Sequence, residues 1–264
     1  MLDRLESALS RARDEGRIAV APYVTIGFPS IEDTLAIIPA IEQAGADIIE
    51  LGVPYSDPLA DGPTIQAASY RALTGGVDTH ACLETARRLR DTGVSLPLIF
   101  MGYYNPILRY GIAEYATDCA EAGVDALIIP DLPPDEAGEL REALEQHGLG
   151  IVSMLAPTST EERIMLGCEH ARGFVYCVSV TGVTGARSDL PDDFPDFVAR
   201  VRRHTELPVG VGFGIAERRH VERVGQVADI AFVGSALIDV IDSAPPGEAA
   251  SRAGAFIREL AAAQ

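Results

Sequence analysis

The chain has 264 residues, of which 47% are hydrophobic, enough to bury a large core and too many for a disordered segment. Its formal net charge of −18 repels phosphate backbones and anionic membranes, which argues against nucleic-acid and membrane partners, and no apolar run approaches the ~20 residues that span a bilayer. All 21 basic residues are arginine, so Schiff-base chemistry and any lysine general acid are excluded.

In chain order, Leu2–Asp14 reads as an amphipathic helix with no signal-peptide character, and the expectation is a cytoplasmic enzyme. A strand follows over Ile18–Ile26, then a helix over Ile31–Gln43 and a strand over Asp47–Leu51. Thr79–Thr92 is helical, Leu96–Met101 extended, Ile112–Ala122 helical and Ala126–Pro130 extended. A helix over Pro134–Gln146 leads to strands Gly150–Leu155 and Gly173–Val178; a helix over Phe194–His204 precedes strand Val209–Gly212. Arg219–Val224, strand Ile230–Val233 and a last helix over Gly247–Ala262 complete the series.

Strands that alternate with helices build a parallel sheet, because a parallel pair needs a long crossover connection. Eight such units close into an α/β, (β/α)8 barrel: one domain over residues 1–264 with an extra N-terminal helix. An open doubly wound sheet is the alternative. Gln43-Ala-Gly-Ala-Asp-Ile-Ile-Glu50 resembles Glu121-Ala-Gly-Val-Asp-Ala-Leu-Ile128, and Gln226-Val-Ala-Asp-Ile-Ala-Phe232 is a weaker third copy. In the first two copies a glycine ends a helix in the left-handed conformation and an aspartate leads into a buried strand.

Cys82, Cys119, Cys168 and Cys177 are scattered, with no C-x-x-C pair and no histidine at ligand spacing, so no metal site is expected. Function in such barrels sits at the C-terminal ends of the strands. After the second strand comes Glu50-Leu-Gly-Val-Pro-Tyr-Ser-Asp-Pro-Leu-Ala-Asp-Gly-Pro63. Glu50 lies inside an apolar strand end, where burial raises a carboxyl pKa towards the range of a general acid or base. An ion pair with an arginine, or a cap for the following loop, is the structural reading. Asp57 and Asp61 sit in turn-forming contexts, yet a dry carboxyl beside a polar one also splits acid and base roles. Gly210-Val-Gly-Phe-Gly-Ile215 and Val233-Gly-Ser-Ala236 end the last two strands, where Gly N–H groups and the start of a short extra helix bind phosphate; Ser235 is expected to cap that helix. Ser179-Val-Thr-Gly-Val-Thr-Gly-Ala-Arg187 reads as a lid.

Together these segments resemble the tryptophan synthase alpha subunit family. The resemblance rests on Glu50–Gln66, Met101-Gly-Tyr-Tyr-Asn-Pro106, Ile129-Pro-Asp-Leu-Pro133, Gly182-Val-Thr-Gly185 and Gly212-Phe-Gly-Ile215, in order along the chain. It implies retro-aldol cleavage of indole-3-glycerol phosphate to indole and glyceraldehyde 3-phosphate. Glu50 would exchange the protons, Asp61 would offset charge at the indole N–H, and Tyr176 would position the substrate. Tyr23, where the family often has Phe, would add a hydroxyl to the indole pocket, and Thr184, Gly185, Gly214, Gly234 and Ser235 would hold the substrate's far end and phosphate. No cofactor is implied for this chain; pyridoxal phosphate belongs to the beta subunit, the implied partner in an αββα heterotetramer. Asp57–Pro58, the Asn105 region and Asp131–Pro133 would meet that partner. A stand-alone, indole-releasing lyase is the alternative function; a barrel kept only to activate the beta subunit would have lost Glu50 or Asp61. Gly214-Ile-Ala-Glu-Arg-Arg219 departs from the family in lacking a proline after the glycine turn.

Overall fold

Short β-branched and apolar runs become strands here because a parallel sheet clothed in helices buries both of its faces. In the computed structural model, which describes residues 2–178, 194–212 and 214–262, the chain begins α1 (Leu2–Asp14), β1 (Ala19–Thr25), α2 (Ile31–Gln43) and β2 (Ile49–Gly52). It continues α3 (Pro63–Thr74), α4 (Thr79–Asp91), β3 (Leu98–Met101), α5 (Tyr104–Tyr110), α6 (Ile112–Glu121) and β4 (Ala126–Ile128). Then come α7 (Gly138–Gln146), β5 (Gly150–Leu155), α8 (Glu161–His170) and β6 (Val175–Val178). The last stretch is α9 (Phe194–Arg202), β7 (Val209–Gly212), α10 (Arg218–Gly225), β8 (Ile230–Val233), α11 (Ser235–Asp242) and α12 (Ala249–Ala261). Every strand pairs in parallel with its successor, and β8 returns to β1 along Ala19–Pro22, so the sheet closes and the open-sheet alternative falls.

Helix starts follow side-chain chemistry. Ser30, Asp78 and Thr160 accept from the backbone N–H three residues on and so cap α2, α4 and α8, while Pro63 opens α3, where a missing N–H costs nothing. The helix expected from Pro134 starts only at Gly138, and α3, α5 and α8 are not among the helices the sequence pattern picks out.

The pleat sorts the core into two compartments. Val20, Val24, Ile49, Leu51 and Leu98 face outward and join the helices in one cluster. Ala19, Ala21, Ile48, Ile99, Ile128, Val152, Phe174, Ile230 and Phe232 fill the barrel. Leu5, Leu9 and Ala12 of α1 belong to this inner cluster, so the extra helix stoppers the barrel's N-terminal end. Gly173, at φ 86°, leaves room for Leu5; a Cβ there would come within 2.5 Å of the leucine methyl.

The two repeated motifs, and the weaker third, build one device at that end. Asp47, Asp125 and Asp229 each donate their N–H to the carbonyl of a residue on the preceding strand (Val20, Leu98 and Val209), and each side chain accepts from the N–H of that same residue. An arginine closes each clasp: Arg17 on Asp47, Arg4 and Arg90 on Asp125, and Arg202 on Asp229, all at 2.7 Å. Gly45 and Gly123 hold the left-handed φ of 102° and 78° that the repeat requires. These clasps lie opposite the C-terminal face and serve stability.

Candidate active site

The alternation that turns Ile48 inward also turns Glu50 inward, two residues nearer the C-terminal mouth of the barrel. Glu50 is level with Tyr23 on β1 and Ile99 on β3, and only 4% of it is exposed. Among the described residues no group donates a hydrogen bond to its carboxyl and no arginine pairs with it. Burial, and second the nearby Asp61, push its pKa up to about 8. A carboxyl so placed carries its proton at neutral pH.

Asp61 comes from the loop between β2 and α3. Its side chain does not stay in the turn but is buried. The loop is anchored at one end by the Val53 N–H on the Met101 carbonyl and at the other by Gln66, which donates to the Asp61 carbonyl at 2.8 Å. The hydroxyl of Tyr103 donates to the Asp61 carboxylate and accepts from the Ala60 N–H at 3.0 Å. Burial raises the Asp61 pKa to about 6, and the Tyr103 hydrogen bond opposes that rise. The two carboxyls are therefore neighbours of different character: one dry and protonated, the other solvated by a phenol and ionised through most of the neutral range. Asp57, by contrast, is exposed and takes a hydrogen bond from Ser56 at 2.5 Å, an ordinary turn residue.

Two tyrosines wall the pair. Tyr23 is buried and Tyr176 half-buried beside Glu50 and Asp61, whose charges add to desolvation in raising the phenol pKa values. Each ring lies over a glycine, Tyr23 over Gly52 and Tyr176 over Gly212; a Cβ on either glycine would run into the phenol hydroxyl. Thr25 donates to the Tyr23 oxygen at 3.3 Å, so the hydroxyl that departs from Phe is satisfied within its own strand.

Across the mouth, Gly234 follows β8 and is the N-cap of α11, and its carbonyl accepts from Leu237 and Ile238. This corrects the expected cap: Ser235 is the first helical residue and makes no capping bond, because its own N–H already lies in the helix's first turn. Its hydroxyl is thus left beside the first-turn N–H groups, the arrangement that draws an anion. Gly234 adjoins Tyr23, whose Cβ would stand 4.0 Å from an added methyl, so the anion-binding corner and the carboxyl pair share one wall. Gly214 lies exposed after β7. Thr184 and Gly185, with the rest of the expected lid, lie outside the described residues.

Two contributors are absent from the sequence reading. Tyr103 lies within a quoted motif but its partner is set only by the fold. His220 on α10 is buried, and its Nδ1 accepts from the Ala216 N–H at 3.2 Å, tying down the loop after Gly214 in place of the missing proline. Its Nε2 is buried without a partner among the described residues. Only the folded loop, which brings the Ala216 N–H onto the ring, reveals this role.

A family model described as "Tryptophan synthase alpha chain" matches residues 9–263. The "Tryptophan synthase alpha chain" of Roseiflexus castenholzii is 52% identical over 259 residues, covering 98% of this chain and 99% of the relative. A solved structure of Mycobacterium tuberculosis tryptophan synthase superposes with a TM-score of 0.90 at 41% identity, covering 98% of this chain and 97% of that one. The tryptophan synthase subunit alpha of Legionella pneumophila gives a TM-score of 0.89 at 33% identity, with coverage of 98% and 97%.

Proposed function

The chain belongs to the tryptophan synthase alpha chain family, and we propose that it cleaves indole-3-glycerol phosphate through Glu50 and Asp61. The observation that carries the assignment is the pair of adjacent buried carboxyls held at about 8 and about 6. The difficult step is to make an aromatic carbon accept a proton. Protonated Glu50 gives its proton to indole C3 while ionised Asp61 offsets the positive charge growing at the ring N–H. Glu50, now a carboxylate, takes the proton of the adjacent glyceryl hydroxyl as the C–C bond breaks. The bonding pair returns to the indole ring, the hydroxyl becomes the aldehyde of glyceraldehyde 3-phosphate, and Glu50 ends protonated as it began. The indole ring is the electron sink, so the reading needs neither an organic cofactor nor a metal.

Tyr176 and Tyr23 flank the indole, and the substrate phosphate lies against Gly214, Gly234 and Ser235, with Thr184 and Gly185 closing on its far side. We assign one domain to residues 1–264 and, in keeping with a biosynthetic enzyme family, a cytoplasmic location.

The beta subunit is the partner, and pyridoxal phosphate belongs to it. The docking face proposed for an αββα assembly carries Leu59, 89% exposed at the tip of the Asp61 loop, with Tyr55 stacked on Tyr103 and accepting from Asn105. Asp131 on the same face accepts from the Tyr104 N–H at 2.9 Å. Partner contact on the loop that carries Asp61 links docking to catalysis.

The test is indole release from indole-3-glycerol phosphate with and without beta subunit. Slow release that rises sharply with the partner supports the assignment. Fast release alone supports the stand-alone lyase, and no release in either case removes the substrate. Asp61→Asn is expected to cripple turnover and leave affinity for glycerol 3-phosphate nearly intact.

A further inference from the structure

A second concavity lies outside the barrel, on the outer face of β5 where α7 and α8 stand apart. It encloses about 310 Å³, within the range of small-molecule sites. Its floor is the outward side of β5, where Ile151, Ser153 and Leu155 alternate with residues that face the barrel interior. The turn Pro130–Pro134 after β4 forms its upper wall, and Arg141 of α7 faces Arg163 and His170 of α8 across it.

Its charge runs against the rest of the molecule. The chain carries 39 acidic residues, yet none lines this cavity, while two arginines and a histidine do. Most arginines here are engaged by carboxylates, Arg17, Arg90, Arg200 and Arg202 among them. The side chains of Arg141 and Arg163 make no ion pair or hydrogen bond among the described residues. Ser153 is only 7% exposed, and its hydroxyl likewise has no hydrogen-bond partner among them. That hydroxyl opens onto the cavity, where a ligand can bond it in place of water. The remaining wall is apolar: Ile129, Leu132, Pro133, Ala137, Ile151 and Leu155.

We propose that this cavity binds a small amphipathic organic anion. Its carboxylate or phosphate is held by Arg141, Arg163 and the Ser153 hydroxyl, and its apolar body rests on Ile151, Leu155 and the proline turn. Guanidinium groups from two helices suit a planar or tetrahedral anion, and a ligand spanning them closes the gap between α7 and α8. The same turn carries Asp131, so occupancy braces the backbone next to the Tyr104 N–H it anchors. The proposal does not depend on the reaction assigned to the barrel mouth.

Phenyl phosphate and benzoate are the probes, titrated by calorimetry into full-length Ser235→Asp protein, in which an added carboxylate repels anions from the substrate-phosphate corner. We expect saturable binding of at least one probe, with inorganic phosphate binding more weakly for want of an apolar body. Whether phenyl phosphate or benzoate binds tighter identifies the anionic group the site takes. Adding Arg141→Gln and Arg163→Gln should weaken the probe about tenfold or more, the scale of one lost charge-assisted hydrogen bond. An unchanged circular-dichroism spectrum and urea midpoint for Arg141→Gln/Arg163→Gln verify that the fold survives. No saturable binding in the Ser235→Asp background, or an affinity indifferent to the two arginines, overturns the proposal.

Discussion

Replacing Tyr103 with Phe removes one hydroxyl and tests how the two carboxyls divide their work. That hydroxyl donates to the Asp61 carboxylate and holds its pKa down against burial. A hydrogen bond to a charged group contributes about 1.5 kcal/mol or more, so its loss should raise the Asp61 pKa by about one unit, from about 6 to ~7. The reaction needs Asp61 ionised and Glu50 protonated. With Glu50 at about 8, the fraction in that state at pH ~6 falls from ~0.5 to ~0.1, about fivefold, and at pH ~7.5 by less than ~1.5-fold. The assay is kcat/KM for indole release as a function of pH, which reports the free enzyme. An acid limb moved up by about a unit, with the alkaline limb little changed, is the expected outcome. A uniform loss at every pH would mean Tyr103 only shapes the loop through Ala60, and an unmoved acid limb would refute the role given to Asp61.

Glu50→Gln should lower turnover by ~100-fold or more, measured on protein whose circular dichroism is unchanged. The same variant should show a pH-dependent stability gain: the native state keeps a proton that the unfolded chain releases, so the wild-type contribution is complete below about 4.5 and lost as pH rises through about 8. Urea midpoints of the two proteins should therefore shift in the variant's favour across that window, and a constant difference would deny the raised pKa. Gly212→Ala should force the Tyr176 ring off its seat, destabilise the fold by about 1–3 kcal/mol and depress turnover; wild-type behaviour in both assays would remove Tyr176 from the site. His220→Leu should weaken glycerol 3-phosphate several-fold with little change in kcat, and His220→Gln should restore affinity by accepting the Ala216 N–H again.

Strands were readable wherever apolar residues ran without interruption: β5, β7 and β8 have the bounds the pattern gives. The helices the pattern passed over lack a clear stripe. α3 buries only Ala68, Ser69 and Ala72, α5 is a short turn-rich segment holding Pro106, and α8 opens on two glutamates and places Gly167 against β5. At the site, the burial of Glu50 was legible because a carboxylate inside an apolar strand has nowhere else to point. The inward turn of Asp61 was not legible locally, since it depends on Tyr103, which arrives from the next strand's end. The Ser235 cap failed by one residue, the usual uncertainty of a helix start.

The stopper at the foot of the barrel has a consequence for biosynthesis. α1 leaves the ribosome before the barrel it closes, and its ligands arrive late: Asp125 lies 121 residues after Arg4, and the pocket for Leu5 needs Gly173 and Phe174. The nascent chain therefore carries an amphipathic helix with an unsatisfied apolar stripe until about two-thirds of the barrel has been made. Its docking is among the most sequence-distant closures in the fold and reports that the sheet has already curved far enough to offer a floor.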